Sequence, residues 1–250
     1  MKKIYGLIGF PLGHSFSASY FSEKFSTEKI DAEYRNFPMG QVDDVRDFVE
    51  ANPGLQGFNV TIPHKQAIIP FLDELSAAAE DIGAVNVVKI SRESGRLRLS
   101  GFNTDYIGFE ESLKPMLPAF CNSALVLGTG GASRAVVYAL KRLGISPQLV
   151  SRKSSCGILR YEDLNADIMR SNRLIVNCTP LGMFPDIDSV PPVLWSEVGS
   201  GHLLYDLVYN PAQTKFMRMG IERGARVKNG LEMLHLQAEA AWDIWTSEKY

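Results

Sequence analysis

The chain has 250 residues, 45% hydrophobic and 22% charged, enough for one or two ordinary hydrophobic cores. Its 26 Lys and Arg against 28 Asp and Glu leave a formal charge of -2, without the positive excess that nucleic acid or an anionic membrane selects. Cys121, Cys156 and Cys178 show no CxxC or Cys/His spacing, which argues against a disulfide framework and points to a reducing cytoplasm.

The N-terminal run MKKIYGLIGFPLGHS is broken by Gly6, Gly9 and Pro11, so it reads as a strand over residues 3–9 rather than a secretion signal. No apolar run approaches the length of a membrane span. Helical spacing over 17–25, a strand over 32–37 and a helix over 42–49 continue a β-α-β-α pattern. A short strand over 57–60, a helix over 73–79 and a hairpin of 85–90 with 96–101, turning at Ser94 and Gly95, complete a first α/β unit.

A helix over 106–113 leads into SALVLGTGGASRAVVYALKRLG, an apolar strand, a glycine turn and an amphipathic helix that open a second α/β unit. Further strands are expected at 148–150, 174–177, 202–206 and 226–228. Only twenty-four residues lie between Arg152 and Asn177, so the crossover there is trimmed. From Leu231 onward, Leu234, Ala238, Ala241 and Trp245 recur every three or four residues and predict a final helix, with Trp242 and Trp245 as packing residues.

Residues 59–65, NVTIPHK, carry Thr61 and Lys65 from a strand to a proline-marked stop, a placement suited to chemistry. GAVN at 83–86 and NTD at 103–105 are expected to bring the Asn86 amide and the Asp105 carboxylate to the same cleft, giving a polar small-molecule site with a lysine acid/base. Asp105 also suits a helix N-cap, as do Ser15 and Ser17 at the start of the first helix, where the helix dipole favours a carboxylate. His14, His64, His202 and His235 form no metal-ligand pair, and no metal is expected.

Gly128, Thr129, Gly130, Gly131, Ala132 and Ser133 follow a strand and open a helix, the setting in which backbone N–H groups hold a pyrophosphate. At the end of the next strand stand Ser151, Arg152 and Lys153, where a carboxylate would mark NAD; two cations suit the 2'-phosphate of NADP.

GFPLGHSFS, NVTIPHK, GAVN, NTD, GTGGAS, NCTPLGM, DLVYNP and GLEMLHLQ occur in that order, and with them the chain resembles the shikimate dehydrogenase family along nearly its whole length. The resemblance implies an α/β fold: an N-terminal substrate domain (1–104 and 232–250), a Rossmann-like NADP domain (105–231) and a C-terminal helix returning to the first domain. It implies reversible NADPH-dependent reduction of 3-dehydroshikimate to shikimate in aromatic amino-acid biosynthesis, and a cytoplasmic monomer or homodimer is expected.

The same resemblance makes Lys65 and Asp105 catalytic. Ser15 and Ser17 bind the substrate carboxylate with Tyr209, while Thr61, Asn86 and Gln237 meet the ring hydroxyls and the reacting oxygen. Thr179, Leu207 and Gly230 join the glycine turn and Ser151–Lys153 (151–153) on the cofactor. Ser151 and Lys153 replace the family's usual asparagine and threonine. A quinate/shikimate dehydrogenase of broader specificity and a non-catalytic sensor of shikimate-like acids are the alternatives.

Overall fold

Contacts divide the chain into two units, Met1–Thr104 with Ala238–Tyr250, and Asp105–Gln237. The computed structural model describes residues 2–13, 15–93, 95–117, 121–153 and 155–247, so His14 and the hairpin-tip Ser94 lie outside the described residues.

The first unit contains β1 (Lys3–Gly9), α1 (Phe16–Thr27), β2 (Ala32–Pro38), α2 (Val45–Ala51), β3 (Leu55–Val60), β4 (Glu74–Leu75), α3 (Ala77–Ile82), β5 (Val87–Glu93) and β6 (Arg96–Phe102). They form a mixed sheet of order β2-β1-β3-β5-β6-β4, in which β1 runs parallel to β2 and β3 while β5 is antiparallel to β3 and to β6. The central strands are apolar on both faces because both are covered. Tyr5, Leu7 and Val87 face one core cluster, while Ile8, Phe58, Val60 and Val88 face the other.

The helix expected over 73–79 is displaced. Asp73 accepts a hydrogen bond from the Leu99 N–H at 2.7 Å and the Ser76 N–H donates to Gly101 O at 2.9 Å, which holds this stretch extended beside β6. Ser76 then caps α3, its Oγ accepting from the Ala79 N–H at 3.2 Å.

The second unit contains α4 (Asp105–Leu113), β7 (Ser123–Leu127), α5 (Gly131–Arg142), β8 (Ser146–Ser151), β9 (Leu159–Arg160), α6 (Ala166–Ser171), β10 (Leu174–Asn177), β11 (Leu203–Asp206), α7 (Lys215–Ile221), β12 (Arg226–Asn229) and the start of α8 (Leu231–Thr246). Its sheet is parallel throughout, in the order β12-β11-β10-β7-β8-β9. Ala124, Val126, Leu174 and Val176 pack on one face, and Leu125, Leu127, Ile175 and Leu204 on the other. The chain leaves β7 toward β8 and β9 and resumes on the opposite side at β10. That reversal opens a crevice at the carboxyl ends of β7 and β10.

The crossover between β8 and β10 is short, as its length predicts: two-residue β9, a 3-10 turn at Tyr161–Asp163 and six-residue α6. Helix α8 is the other notable element, since its residues from Ala238 onward belong to the first unit. There Ala238, Ala241, Ile244 and Trp245 pack with Tyr5 and Phe21, and the Trp245 indole N–H donates to Val88 O at 3.0 Å.

Candidate active site

In the first unit, the ends of β1 and β3 and the start of antiparallel β5 share one edge of the sheet. Backbone bonds knit it together: Thr61 N–H to Ile8 O at 2.9 Å, Phe10 N–H to Ile62 O at 3.1 Å, Val60 N–H to Asn86 O at 2.9 Å and Val85 N–H to Lys65 O at 2.7 Å. Thr61, Lys65 and Asn86 are therefore gathered by strand pairing, with Lys65 half-buried and Asn86 buried. The Lys65 turn is braced by His64, whose buried ring Nε2 donates to Met39 O at 2.5 Å.

Ser15 caps α1, its Oγ accepting from the Ala18 N–H at 3.3 Å, and Ser17 lies in the first turn. Both serines thus stand at the N-terminus of a twelve-residue helix, where the dipole favours an anion.

Beneath this edge lies a buried polar network that joins Asn86 to two residues no motif assignment named, Tyr34 and Asn59. The Tyr34 hydroxyl donates to Asn59 Oδ1 at 2.7 Å, and Asn59 Nδ2 donates to Asn86 O at 3.3 Å. Burial raises the Tyr34 pKa well above the usual phenol range, opposed by a hydrogen bond with Ser17. Asn86 is held at both ends of its amide, its Nδ2 donating to Thr104 Oγ1 at 3.0 Å and its Oδ1 accepting from the Thr104 N–H at 2.7 Å. Its orientation is therefore set by the protein. The signal for Asn59 was its place at the head of NVTIPHK.

In the second unit, Asp105 occupies the first turn of α4 rather than the cap position that its sequence context also allowed. Gln237 lies on α8, its amide donating to Leu234 O at 2.8 Å. The two helices meet closely here: a Cβ on Gly108, one turn along from Asp105, would stand 2.4 Å from Met233 O and 3.0 Å from the Gln237 nitrogen. Asp105 and Gln237 are each only 7% exposed. Tyr209 sits on the loop after β11, 38% exposed.

The crevice at the sheet reversal holds a cavity of about 380 Å³, lined by Gly128, Thr129, Gly130, Ser151, Arg152 and Thr179 among others. Gly128 adopts φ of 101°, which a side chain would strain, and added Cβ atoms on Gly130 and Gly131 would meet nothing within 4 Å. No side chain caps α5, whereas Ser15, Ser76, Asn165 and Thr214 cap other helices. The first turn, Gly131, Ala132 and Ser133, thus presents backbone N–H groups at an open approach, with the Ser133 Oγ donating back to Gly130 O at 2.6 Å. These features fit a dinucleotide's pyrophosphate. Lys153 is exposed beside Arg152, and its N–H donates to Ser151 Oγ at 3.2 Å.

Asn177 and Asp206, both fully buried, explain why NCTPLGM and DLVYNP work as a pair. Asn177 Nδ2 donates to Asp206 Oδ1 at 2.9 Å, while its Oδ1 accepts from the Thr179 N–H at 3.0 Å and hydroxyl at 2.6 Å. Asp206 also accepts from the Val208 N–H at 3.0 Å and the Thr214 hydroxyl at 2.5 Å. Burial still pushes its carboxyl up to about 6, against those hydrogen bonds. The Cys178 thiol is driven upward by burial and by Asp206, which leaves it protonated and unsuited to nucleophilic chemistry.

Leu207 donates its N–H to Asn177 O at 3.0 Å, and Gly230 packs on its backbone: a Cβ there would lie 2.2 Å from Leu207 O. Gly230→Ala is expected to displace this crossing of loops at a cost of about 1–3 kcal/mol, seen as a lower thermal midpoint and weaker dinucleotide binding. An unchanged midpoint would show that the loops yield without strain. Among the described residues no group of three or more His, Cys, Asp or Glu is placed to hold a metal, and no helix is long and apolar enough to cross a membrane.

Residues 7–88 match the family model described as the shikimate dehydrogenase substrate binding domain. A shikimate dehydrogenase (NADP(+)) of Methanococcus maripaludis (strain C6 / ATCC BAA-1332) is 35% identical over 264 residues, covering 99% of this chain and 92% of its own. The crystal structure of a chorismate mutase/shikimate 5-dehydrogenase fusion protein from Clostridium acetobutylicum superposes with a TM-score of 0.87 at 36% identity, covering 98% of this chain and 92% of that one. A quinate dehydrogenase from Corynebacterium glutamicum, in complex with NAD, gives 0.86 at 27% identity, covering 98% and 94%. Its sequence, its two α/β units and this full-length likeness agree, and the chain belongs to the shikimate dehydrogenase family.

Proposed function

We propose that the protein is a shikimate dehydrogenase, catalysing the reversible NADPH-dependent reduction of 3-dehydroshikimate to shikimate in chorismate and aromatic amino-acid biosynthesis, in the cytoplasm. The observation that carries this reading is the placement of Lys65 on the sheet edge shared with Thr61 and Asn86, inside the segment matched to the substrate-binding family model. NADP, when bound in its reduced form, supplies the hydride.

Reduction of a ketone leaves negative charge on its oxygen, so the site needs a proton and positive charge there in the transition state. Lys65 supplies both, and in the reverse direction its neutral amine accepts the alcohol proton. Asp105 is assigned as the companion carboxylate. Ser15 and Ser17, at the α1 N-terminus, receive the substrate carboxylate, assisted by Tyr209. Thr61, Asn86 and Gln237 meet ring hydroxyls, for which an amide can both donate and accept. The α5 N-terminus, from Gly128 to Ser133, holds the pyrophosphate, Thr179, Leu207 and Gly230 stand toward the nicotinamide, and Ser151, Arg152 and Lys153 take the 2'-phosphate.

One observation favours a second reading. Ser151 and Lys153 depart from the family's usual pair, and a relative of the same fold is a quinate dehydrogenase in complex with NAD. NADPH or NADH oxidation, each with 3-dehydroshikimate and with 3-dehydroquinate, separates the two. Activity confined to NADPH and 3-dehydroshikimate establishes the narrow dehydrogenase, turnover of all four pairs the broader one, and ligand binding without turnover a sensor.

Arg152→Ala is expected to raise the KM for NADPH by roughly tenfold to a hundredfold, the range for losing a charge-assisted contact to a phosphate, with far less effect on NADH. Equal losses on both cofactors would move Arg152 from the phosphate to the adenine.

A further inference from the structure

The cavity beside Gly128 has a wall that none of the motifs names. Tyr161 lines it together with Ser151, Arg152 and Thr179. Parallel pairing of β8 with β9 matches Val150 to Leu159 and Ser151 to Arg160, so Arg152 and Tyr161 leave the sheet side by side. The Arg160 side chain is occupied at the surface by Asp163, at 3.3 Å. Tyr161 instead packs its ring on the cluster that includes Leu127, Val150 and Leu164 while remaining half-buried at the cavity. Its phenol is pushed up to about 12 by burial, opposed by Arg152, so it stays a neutral hydroxyl at the cavity.

A pyrophosphate at the α5 N-terminus fixes the middle of a dinucleotide, whose two ends then extend along the carboxyl edge of the sheet in opposite directions. Leu207 and Gly230 lie at the β11 and β12 side. The β8 and β9 side, where Arg152 stands, is left for the adenosine.

We infer that Tyr161 is the adenine-binding residue of this cofactor site, its ring forming the wall on which the purine packs while the neighbouring Arg152 meets the ribose 2'-phosphate. The assignment rests on the NADP reading above and deepens it. The trimmed crossover is what makes it possible, because a 3-10 turn directly after two-residue β9 brings residue 161 to the sheet edge. Adenine is common to NADP and NAD, so Tyr161 serves affinity for either, whereas Arg152 serves discrimination between them.

Two probes separate these roles: 5'-AMP, and adenosine 2',5'-bisphosphate, which adds the 2'-phosphate. In calorimetric titrations Tyr161→Leu is expected to weaken both by about tenfold, the order of losing one base-aromatic contact. Tyr161→Phe, which keeps the ring, should bind both within about twofold of the parent protein, while Arg152→Ala weakens only the bisphosphate. In the unaltered protein, bound bisphosphate should show nuclear Overhauser contacts between purine and Tyr161 ring protons, a readout independent of how any variant folds. Parent protein that binds the bisphosphate without those contacts, or a Tyr161→Leu variant with undiminished binding, overturns the inference alone. A Tyr161→Phe loss as large as that of Tyr161→Leu overturns the ring's role in favour of the hydroxyl. Parent protein that binds neither probe overturns the NADP reading and this inference with it.

Discussion

Lys65→Met is expected to lower kcat for ketone reduction by roughly a hundredfold to ten-thousandfold and to leave the KM for the ketone substrate within a few-fold of the parent value. Methionine keeps the length and apolar stem of the half-buried lysine but has neither charge nor proton. The backbone bonds that define the edge, Val85 N–H to Lys65 O and Thr61 N–H to Ile8 O, do not involve the side chain, so the turn survives the change. What disappears is stabilisation that develops only as the oxygen becomes an alkoxide, and such a loss falls on kcat rather than on ground-state binding. Lys65→Arg is expected to restore the charge but not the activity, since a guanidinium does not release its proton at working pH. Steady-state kinetics of the two variants decide the matter. Near-parental turnover in Lys65→Met would remove the acid/base role.

Asp206→Ala is the change expected to cost most stability, about 3 kcal/mol or more, because it strips the acceptor from three buried donors at once. Those donors belong to the ends of β10 and β11 and to the Thr214 cap of α7, so the crevice loses its shape with them. Asp206→Asn should be far milder. Its oxygen can face Asn177 Nδ2 and the Val208 N–H, and its amide nitrogen can donate to the Thr214 hydroxyl, which is able to rotate.

The pair also carries a pH signature. The Asp206 carboxyl titrates near 3.8 unfolded and at about 6 folded. Between those values the folded protein holds a proton that the unfolded chain has released, so the group's contribution is full below the unfolded value and is lost as pH rises through 6. The interval corresponds to about 3 kcal/mol. Denaturant midpoints of the parent protein, less those of Asp206→Asn, should therefore fall between pH 4 and pH 7. A flat difference would mean that the three hydrogen bonds balance the burial.

Lys65, Thr61, Asn86 and the glycine turn stood out as candidates because each sits in a short contiguous motif whose backbone setting is local: a strand end, a proline stop, a helix start. Tyr34, Asn59 and Tyr161 did not, because their partners and neighbours lie far away in the chain. Asn59 matters through Tyr34 and Asn86, brought beside it by strands β2 and β5, and nothing in NVTIPHK announces those partners. Tyr161 reads as part of an undistinguished YEDL until the pairing of Ser151 with Arg160 sets it next to Arg152. The misplaced helix at 73–79 has the same origin, since the propensity of DELSAAA was overruled by hydrogen bonds to β6.

The amino-acid sequence by itself determined most of the strands and helices, though not β4, β9, α6 or α7, together with the family and the residue types available for chemistry, which follow from periodicity, turn chemistry and motif. Only the tertiary structure decided which strand ends share an edge, that Asn177 and Asp206 lock two distant motifs together, and which aromatic lines the cavity at the sheet reversal. Those are consequences of strand register and burial, and a one-residue change of register turns every side chain of a strand to its other face.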